Sequence, residues 1–237
     1  MPSPTEHADQ PIGPIADATP AEHPGPVRLE GRLCRIEKLN PEIHGDALWE
    51  ALDGADRLWV YMAYGPFPDR PTFIQWLGER AAMLDPYSYA VIDLKTGKAV
   101  GIITLMEIRP SMRVIEIGNI VYSPKLQRRA LATEAQYLAA RYVFETLGYR
   151  RYEWKCNALN APSMRAARRL GFKFEGIFRQ HMIIKGRNRD TAWFGMTDGD
   201  WPAAKSAFER WLAPGNFDED GRQRESLSAL NGVGALR

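Results

Sequence analysis

The sequence predicts a mixed α/β domain built on a largely antiparallel sheet, and three observations carry that prediction. Three β-type runs, Tyr87 to Leu94, Ala99 to Ile108 and Arg113 to Tyr122, follow one another across short polar turns, as in an antiparallel meander. An amphipathic run from Ala130 to Leu147 then leads into another strand at Arg151 to Cys156. The helical crossover makes strands 113–122 and 151–156 parallel neighbours. Finally, Phe172 to Ile184 and Arg189 to Thr197 read as a closing hairpin across Lys185-Gly186-Arg187-Asn188.

The remaining elements follow in order. Residues 1–26 are proline-rich, with only isolated apolar side chains, and are expected to form a disordered tail because too little surface can be buried to offset the entropy of ordering. Val27 to Lys38 alternates as a first strand with a turn at Glu30-Gly31. Asn40-Pro41 pairs an N-cap with a first-turn proline and opens a helix that ends near Gly54. An aromatic stretch, Leu58 to Phe67, precedes a second helical pattern from Asp69 to Leu84. Its rings, Trp59, Tyr61, Tyr64 and Phe67, either line a substrate entrance or fill a core. After Cys156 the chain turns at Asn157 to Asn160 into a helix from Pro162 to Leu170, capped by Gly171. A final helix runs from Asp200 to Leu212, so the domain spans 27–212, with 213–237 expected to be a mobile tail.

Composition excludes several function classes. Thirty-one basic against 29 acidic residues leave a net charge of +2, which argues against non-specific nucleic-acid or membrane binding. Cys34 and Cys156 are far apart and the four histidines are scattered, so neither a disulfide framework nor a metal site is expected. No apolar run reaches the roughly 20 residues that span a bilayer, and the N-terminus lacks the layout of a signal peptide. A cytoplasmic location follows as an expectation.

The chemistry is concentrated between Ile117 and Leu147. A strand breaks at Ser123-Pro124, crosses a basic turn and enters a helix with no acidic residue before Glu134. Unpaired N–H groups and the positive dipole end of such a helix suit an anionic ligand. The run Gln127-Arg128-Arg129-Ala130-Leu131-Ala132-Thr133-Glu134-Ala135, followed by Asn160-x-x-Ser163 and Leu170-Gly171-Phe172, resembles the GNAT N-acetyltransferase superfamily, and within it the RimJ/RimL-like branch. Glu116-Ile117-Gly118, Glu175-Gly176 and Arg179 fit the same branch, and the resemblance covers Val27 to Leu212.

The resemblance implies a GNAT-like acyl-CoA N-acyltransferase fold, with the central parallel strands splayed apart and flanked by helices. It implies acetyl-CoA as cosubstrate, with Gln127, Arg128, Arg129, Ala130, Leu131, Ala132 and Thr133 forming the pyrophosphate loop. Ala130 and Ala132 stand where many members of the family carry glycine. Ile120, Val121 and Tyr122 would hold the pantetheine arm as an added strand, with Asn160 bonding the arm and Ser163 near the departing sulfur. Ser163 is thus a candidate acid or thiolate hydrogen-bond donor, and Glu116 a candidate base. Each has an alternative: a helix first-turn serine, and a solvent-facing or arginine-paired carboxylate. Cys156 reads as a buried strand cysteine, and His181 packs on its hairpin.

The implied reaction is acetyl transfer to a primary amine, either a protein N-terminal α-amine or a small molecule. A free α-amine has a pKa near 7.7–8.0, against about 10.4 for lysine, and so demands less of a base. The alternative is a non-catalytic CoA-binding or regulatory module on the same fold. A third reading takes Arg128, Arg129, Arg141, Arg150, Arg151, Arg165, Arg168 and Arg169 as an RNA-binding face. Oligomeric state is open, a homodimer included.

Overall fold

The computed structural model describes residues 11–233. The first ten residues of the expected N-terminal tail and the last four of the chain lie outside that range. Residues 11–25 hold no helix or strand, yet the Ala21 and Glu22 N–H groups donate to the carbonyls of Pro110 (3.1 Å) and Leu147 (2.9 Å), which lays this segment against the domain.

Eight strands form one sheet: β1 (Arg28–Glu30), β2 (Cys34–Lys38), β3 (Tyr87–Asp93), β4 (Ala99–Arg109), β5 (Val114–Tyr122), β6 (Arg151–Asn157), β7 (Lys173–Ile184) and β8 (Arg187–Thr197). Their spatial order is β1-β2-β3-β4-β5-β6-β8-β7. All pairs are antiparallel except β5–β6, as the crossover predicts. That pair is short. Val114, Ile115 and Glu116 pair with Arg151, Tyr152 and Glu153, and beyond Glu116 the two strands have no ladder. On its other side β5 stays paired to β4 as far as Tyr122, with a register shift beside Asn119, whose φ is +47°. Such a bulge bends a strand away from its neighbour.

The helices are α1 (Pro41–Leu52), α2 (Arg70–Ala82), α3 (Ala130–Arg141), α4 (Ala161–Arg169), α5 (Trp201–Leu212) and α6 (Leu227–Leu230). Asn40 caps α1 by accepting from the Glu42 and Ile43 N–H groups, and Asp69 caps α2 through Thr72 N–H. The predicted helix to Leu147 is α-helical only to Arg141; Tyr142–Thr146 widen into a π turn, and Leu147 N–H donates to Tyr142 O. Against one sheet face α3, α4 and α5 bury Leu131, Leu138, Tyr152, Phe172, Phe194 and Phe208. Against the other, α1 and α2 bury Leu48, Phe73 and Leu77 with Ile92 and Ile102.

The region after Leu212, expected to be a mobile tail, carries structure as far as α6. Asn216 donates to Trp211 O (3.0 Å) and accepts from Glu225 N–H (2.9 Å), while Leu227 is fully buried beside α5. Gln223 accepts from Trp211 Nε1 (2.7 Å), Glu225 pairs with Arg210 and Asn231 donates to Arg169 O (2.9 Å), and these scattered anchors have no helical or strand periodicity. That is why the sequence reading stops at Leu212.

A buried carboxylate ties α3 to the far edge of the sheet. Glu134 accepts from the N–H groups of Arg32 (2.9 Å), Leu33 (2.6 Å) and Cys34 (2.7 Å), the tight link between β1 and β2. Gly31 is required in that link, because a Cβ there would fall 2.5 Å from the Glu134 side chain.

Candidate active site

The basic turn lies at the end of β5 and opens α3. Leu126 is buried beneath it, and Gln127 Nε2 donates to Tyr122 O (3.0 Å). Arg128 adopts a left-handed φ of +61°, and no side chain caps the helix at Arg129. Ala132 N–H donates to Arg129 O (3.1 Å), which leaves the Ala130 and Leu131 N–H groups open to an anion, with the exposed Arg128 and Arg129 beside them. Ala130 and Ala132 lie within α3 and not among the positive-φ residues, so their backbone accepts a methyl group. Leu131 is buried, and the Thr133 hydroxyl accepts from the Arg169 guanidinium (3.0 Å), which turns both inward.

Between β5 and β6 lies a gap with two backbone edges. Ile120, Val121 and Tyr122 belong to the part of β5 that has no ladder with β6, and Tyr122 is fixed from behind by Gln136 Nε2 (2.7 Å). At the far end of β6, Asn160 caps α4 by accepting from Ser163 N–H (3.2 Å). Its Oδ1 is so occupied, and its amide NH₂ remains for a ligand. Ser163 is the first-turn serine of its alternative reading. Its Oγ accepts from Trp154 Nε1 (3.0 Å), which fixes the oxygen and leaves the hydroxyl proton to donate elsewhere. Cys156 is buried, and that burial pushes its thiol up, as befits an inert strand cysteine.

Glu116 stands at the fork where the strands part. It is 5% exposed, and Lys155 Nζ lies 3.0 Å from its Oε2. Burial pushes its carboxyl up to about 7, against the opposing pull of Lys155. Lys155 also reaches Glu153 Oε2 (3.2 Å) and lies over the Trp193 ring at 4.1 Å. Glu153 in turn pairs with Arg109 (2.7 Å) and Arg151 (2.8 Å), and Arg151 reaches Glu175. These charges thus form one balanced network on a sheet face that α1 and α2 leave uncovered at this end.

Sequence reasoning singled out Ser163 and Glu116 but missed Trp154, Lys155 and Glu153. A signal was present: Arg151, Glu153 and Lys155 alternate with Tyr152, Trp154 and Cys156, so a central strand shows one charged face. His181 does pack on its hairpin, with Nδ1 3.0 Å from Thr191 Oγ1. The arginines proposed as an RNA face are in part occupied elsewhere: Arg151 in ion pairs, Arg169 against Trp211 and Arg141 against Tyr137.

Core filling, one of the two readings of the aromatic stretch, holds for Trp59. Trp59 is buried among Tyr64, Phe67 and Trp76, with ring centroids 5.2–6.1 Å apart, as core filler. Tyr61 instead donates its hydroxyl to Leu159 O (3.2 Å), in the turn that follows β6.

An eight-stranded sheet forked at its parallel pair, with an uncapped basic turn on one side of the fork, defines an acyltransferase architecture. The chain belongs to the GNAT acetyltransferase family: the family described as acetyltransferase (GNAT) domain matches residues 36–173. It is similar to a GCN5-related N-acetyltransferase from Brucella melitensis, 48% identical with a TM-score of 0.89, over 91% of this chain and 99% of that one. A GNAT-family structure from Chromobacterium violaceum is 40% identical with a TM-score of 0.76, covering 82% of this chain and all of its own. Among curated relatives, the spermidine N(1)-acetyltransferase of Escherichia coli K12 is 32% identical over 94 residues, which are 40% of this chain. The chain spans about half the length of the curated relatives it matches. No helix among the described residues is long and apolar enough to cross a membrane, and no cluster of His, Cys, Asp and Glu among them could hold a metal ion.

Proposed function

We propose that this chain transfers the acetyl group of acetyl-CoA to the N-terminal α-amine of a peptide or protein. The observation that carries the acceptor class is Glu116, buried at the fork with its carboxyl raised to about 7. A base of that strength lies within about one unit of an α-ammonium but more than three below a lysine or polyamine ammonium. The matched relative that acetylates spermidine therefore does not fix the acceptor here.

The residues divide the work as follows. The α3 N-terminus, Arg128 and Arg129 hold the pyrophosphate, and the open edge at Ile120 to Tyr122 with the Asn160 amide holds the arm. Acetyl-CoA supplies an activated thioester carbonyl. Glu116 takes the amine's proton directly or through water as the new C–N bond forms and the C–S bond breaks. Ser163, its oxygen fixed by Trp154, donates a hydrogen bond to the departing thiolate.

Three variants test this division. Ser163→Ala should lower kcat roughly 10- to 100-fold while the KM for acetyl-CoA changes less than about twofold, and an unchanged kcat removes Ser163 from the chemistry. Arg128→Ala or Arg129→Ala should weaken acetyl-CoA binding about 5- to 20-fold by calorimetry, in line with loss of one charge-assisted contact. An unchanged dissociation constant for both variants would place the pyrophosphate elsewhere. The acceptor itself is tested by thiol release across peptides, free amino acids and polyamines. Turnover confined to the polyamines refutes the α-amine reading.

A further inference from the structure

We infer that Lys185 sets acceptor specificity, by latching the aromatic stretch across the acceptor groove as a fixed roof. The inference rests on the acetyltransfer reading above and adds the residue that determines which amines reach the fork.

Lys185 and Gly186 form the two-residue turn between β7 and β8, closed by the Ile184–Arg187 pair. Both have positive φ, +50° and +71°, the backbone of a turn that usually takes Asn, Asp or Gly. A lysine held in that conformation directs attention to its side chain. Its ammonium donates to three backbone carbonyls of the aromatic stretch: Trp59 O (2.9 Å), Tyr64 O (3.2 Å) and Gly65 O (2.5 Å). An ammonium has three N–H bonds, so this one is fully used and fully directed.

The two elements it joins belong to opposite sides of the fork. The aromatic stretch is rooted on α2 through the Trp59, Phe67 and Trp76 rings, over the β3–β5 side of the sheet. The hairpin tip lies beyond β6, because Asn157 at the end of β6 is paired with Thr191 of β8. A second contact reaches the same side, from the Tyr61 hydroxyl to Leu159 O. The stretch therefore spans from one diverging strand group to the other, above the gap that opens beyond Glu116. Gly65 lets it fold tightly there, since a Cβ at that position would come within 2.7 Å of the Trp59 ring. On the hairpin side of the gap Phe178, His181 and Trp193 pack together, and the Lys155 ammonium that pairs with Glu116 lies over the Trp193 ring at 4.1 Å. A stretch tied across the gap at both ends narrows the approach to Glu116, so a slim terminus is expected to pass more readily than an amine carried on a bulky group.

The test compares wild type with Lys185→Met, which keeps the stem and removes the ammonium, and with Lys95→Met, a change at an exposed lysine in the β3–β4 turn. Hydrogen exchange of the amides from 57 to 68 is read without any substrate, and turnover is read on slim and bulky amines with acetyl-CoA saturating. In Lys185→Met the exchange should rise at least tenfold and the ratio of slim to bulky kcat/KM should fall about tenfold. Both should stay at wild-type values in Lys95→Met. Unchanged exchange overturns the latch, and faster exchange with an unchanged ratio overturns its role in specificity. If the wild type turns over none of the amines, the acetyltransfer reading fails first and the specificity claim falls with it; exchange alone then shows whether the latch is real.

Discussion

Glu116→Gln is expected to lower kcat on the order of 100-fold and to remove a titration from the pH–rate profile. In the wild type the carboxyl is raised to about 7, and a base acts only when ionised. The kcat should therefore climb about tenfold per unit below pH 7 and level off above it, while kcat/KM carries a further inflection near pH 8 from the free α-amine. Glutamine keeps the shape but cannot accept the proton, so the lower limb should disappear while acetyl-CoA affinity stays within about twofold. A wild-type rate from the variant would return Glu116 to the role of an ion-pair residue. Stability should respond with the opposite sign. A folded-state pKa above the unfolded value of 4.5 stabilises the fold below that value, and the gain is lost as pH rises through about 7. The glutamine variant should accordingly lose less melting temperature than wild type between pH 5 and 8.

Glu134→Ala should be the most damaging single change to stability, on the order of 3–5 kcal/mol. One carboxylate accepts three backbone N–H groups in succession, from Arg32, Leu33 and Cys34, and the side chain is 4% exposed. Removing it strands those donors in the interior, where each unsatisfied group costs about 1–3 kcal/mol. For a domain of this size that corresponds to a loss of roughly 10 °C or more in melting temperature. Glu134→Gln, which keeps one acceptor oxygen, should fall between the two. A melting temperature within a degree or two of wild type for Glu134→Ala would show that water replaces the carboxylate.

Much of this architecture is legible in the sequence because its cues are local. Asn40 and Asp69 announce helix starts, and the meander followed by an amphipathic crossover dictates one parallel pair. Asn160 and Ser163 arrive at the start of α4, where the motif places them. The features left unread join residues far apart in the chain. Glu134 reads as an ordinary helix glutamate until its partners a hundred positions earlier come to it. Lys155 looks like a surface lysine, and only the pairing of β5 with β6 brings it onto Glu116. Lys185 sits in a turn where any polar residue would seem adequate, and its carbonyl partners lie 120 to 126 positions away. Motif and period report what a segment becomes, whereas ion-pair partners are fixed only by how segments meet.

The brevity of the β5–β6 ladder has a mechanical meaning. Five strands on one side and three on the other form two plates, and within the sheet they are riveted by three residue pairs at one end. A sheet normally resists opening because its hydrogen bonds act together along the full length of each strand. Here the free ends are levers, and the helices packed on the faces carry the load that the missing ladder would have borne. A ligand that bonded both inner edges would rivet the plates at the opposite end as well, and its binding energy would count directly toward the rigidity of the whole domain.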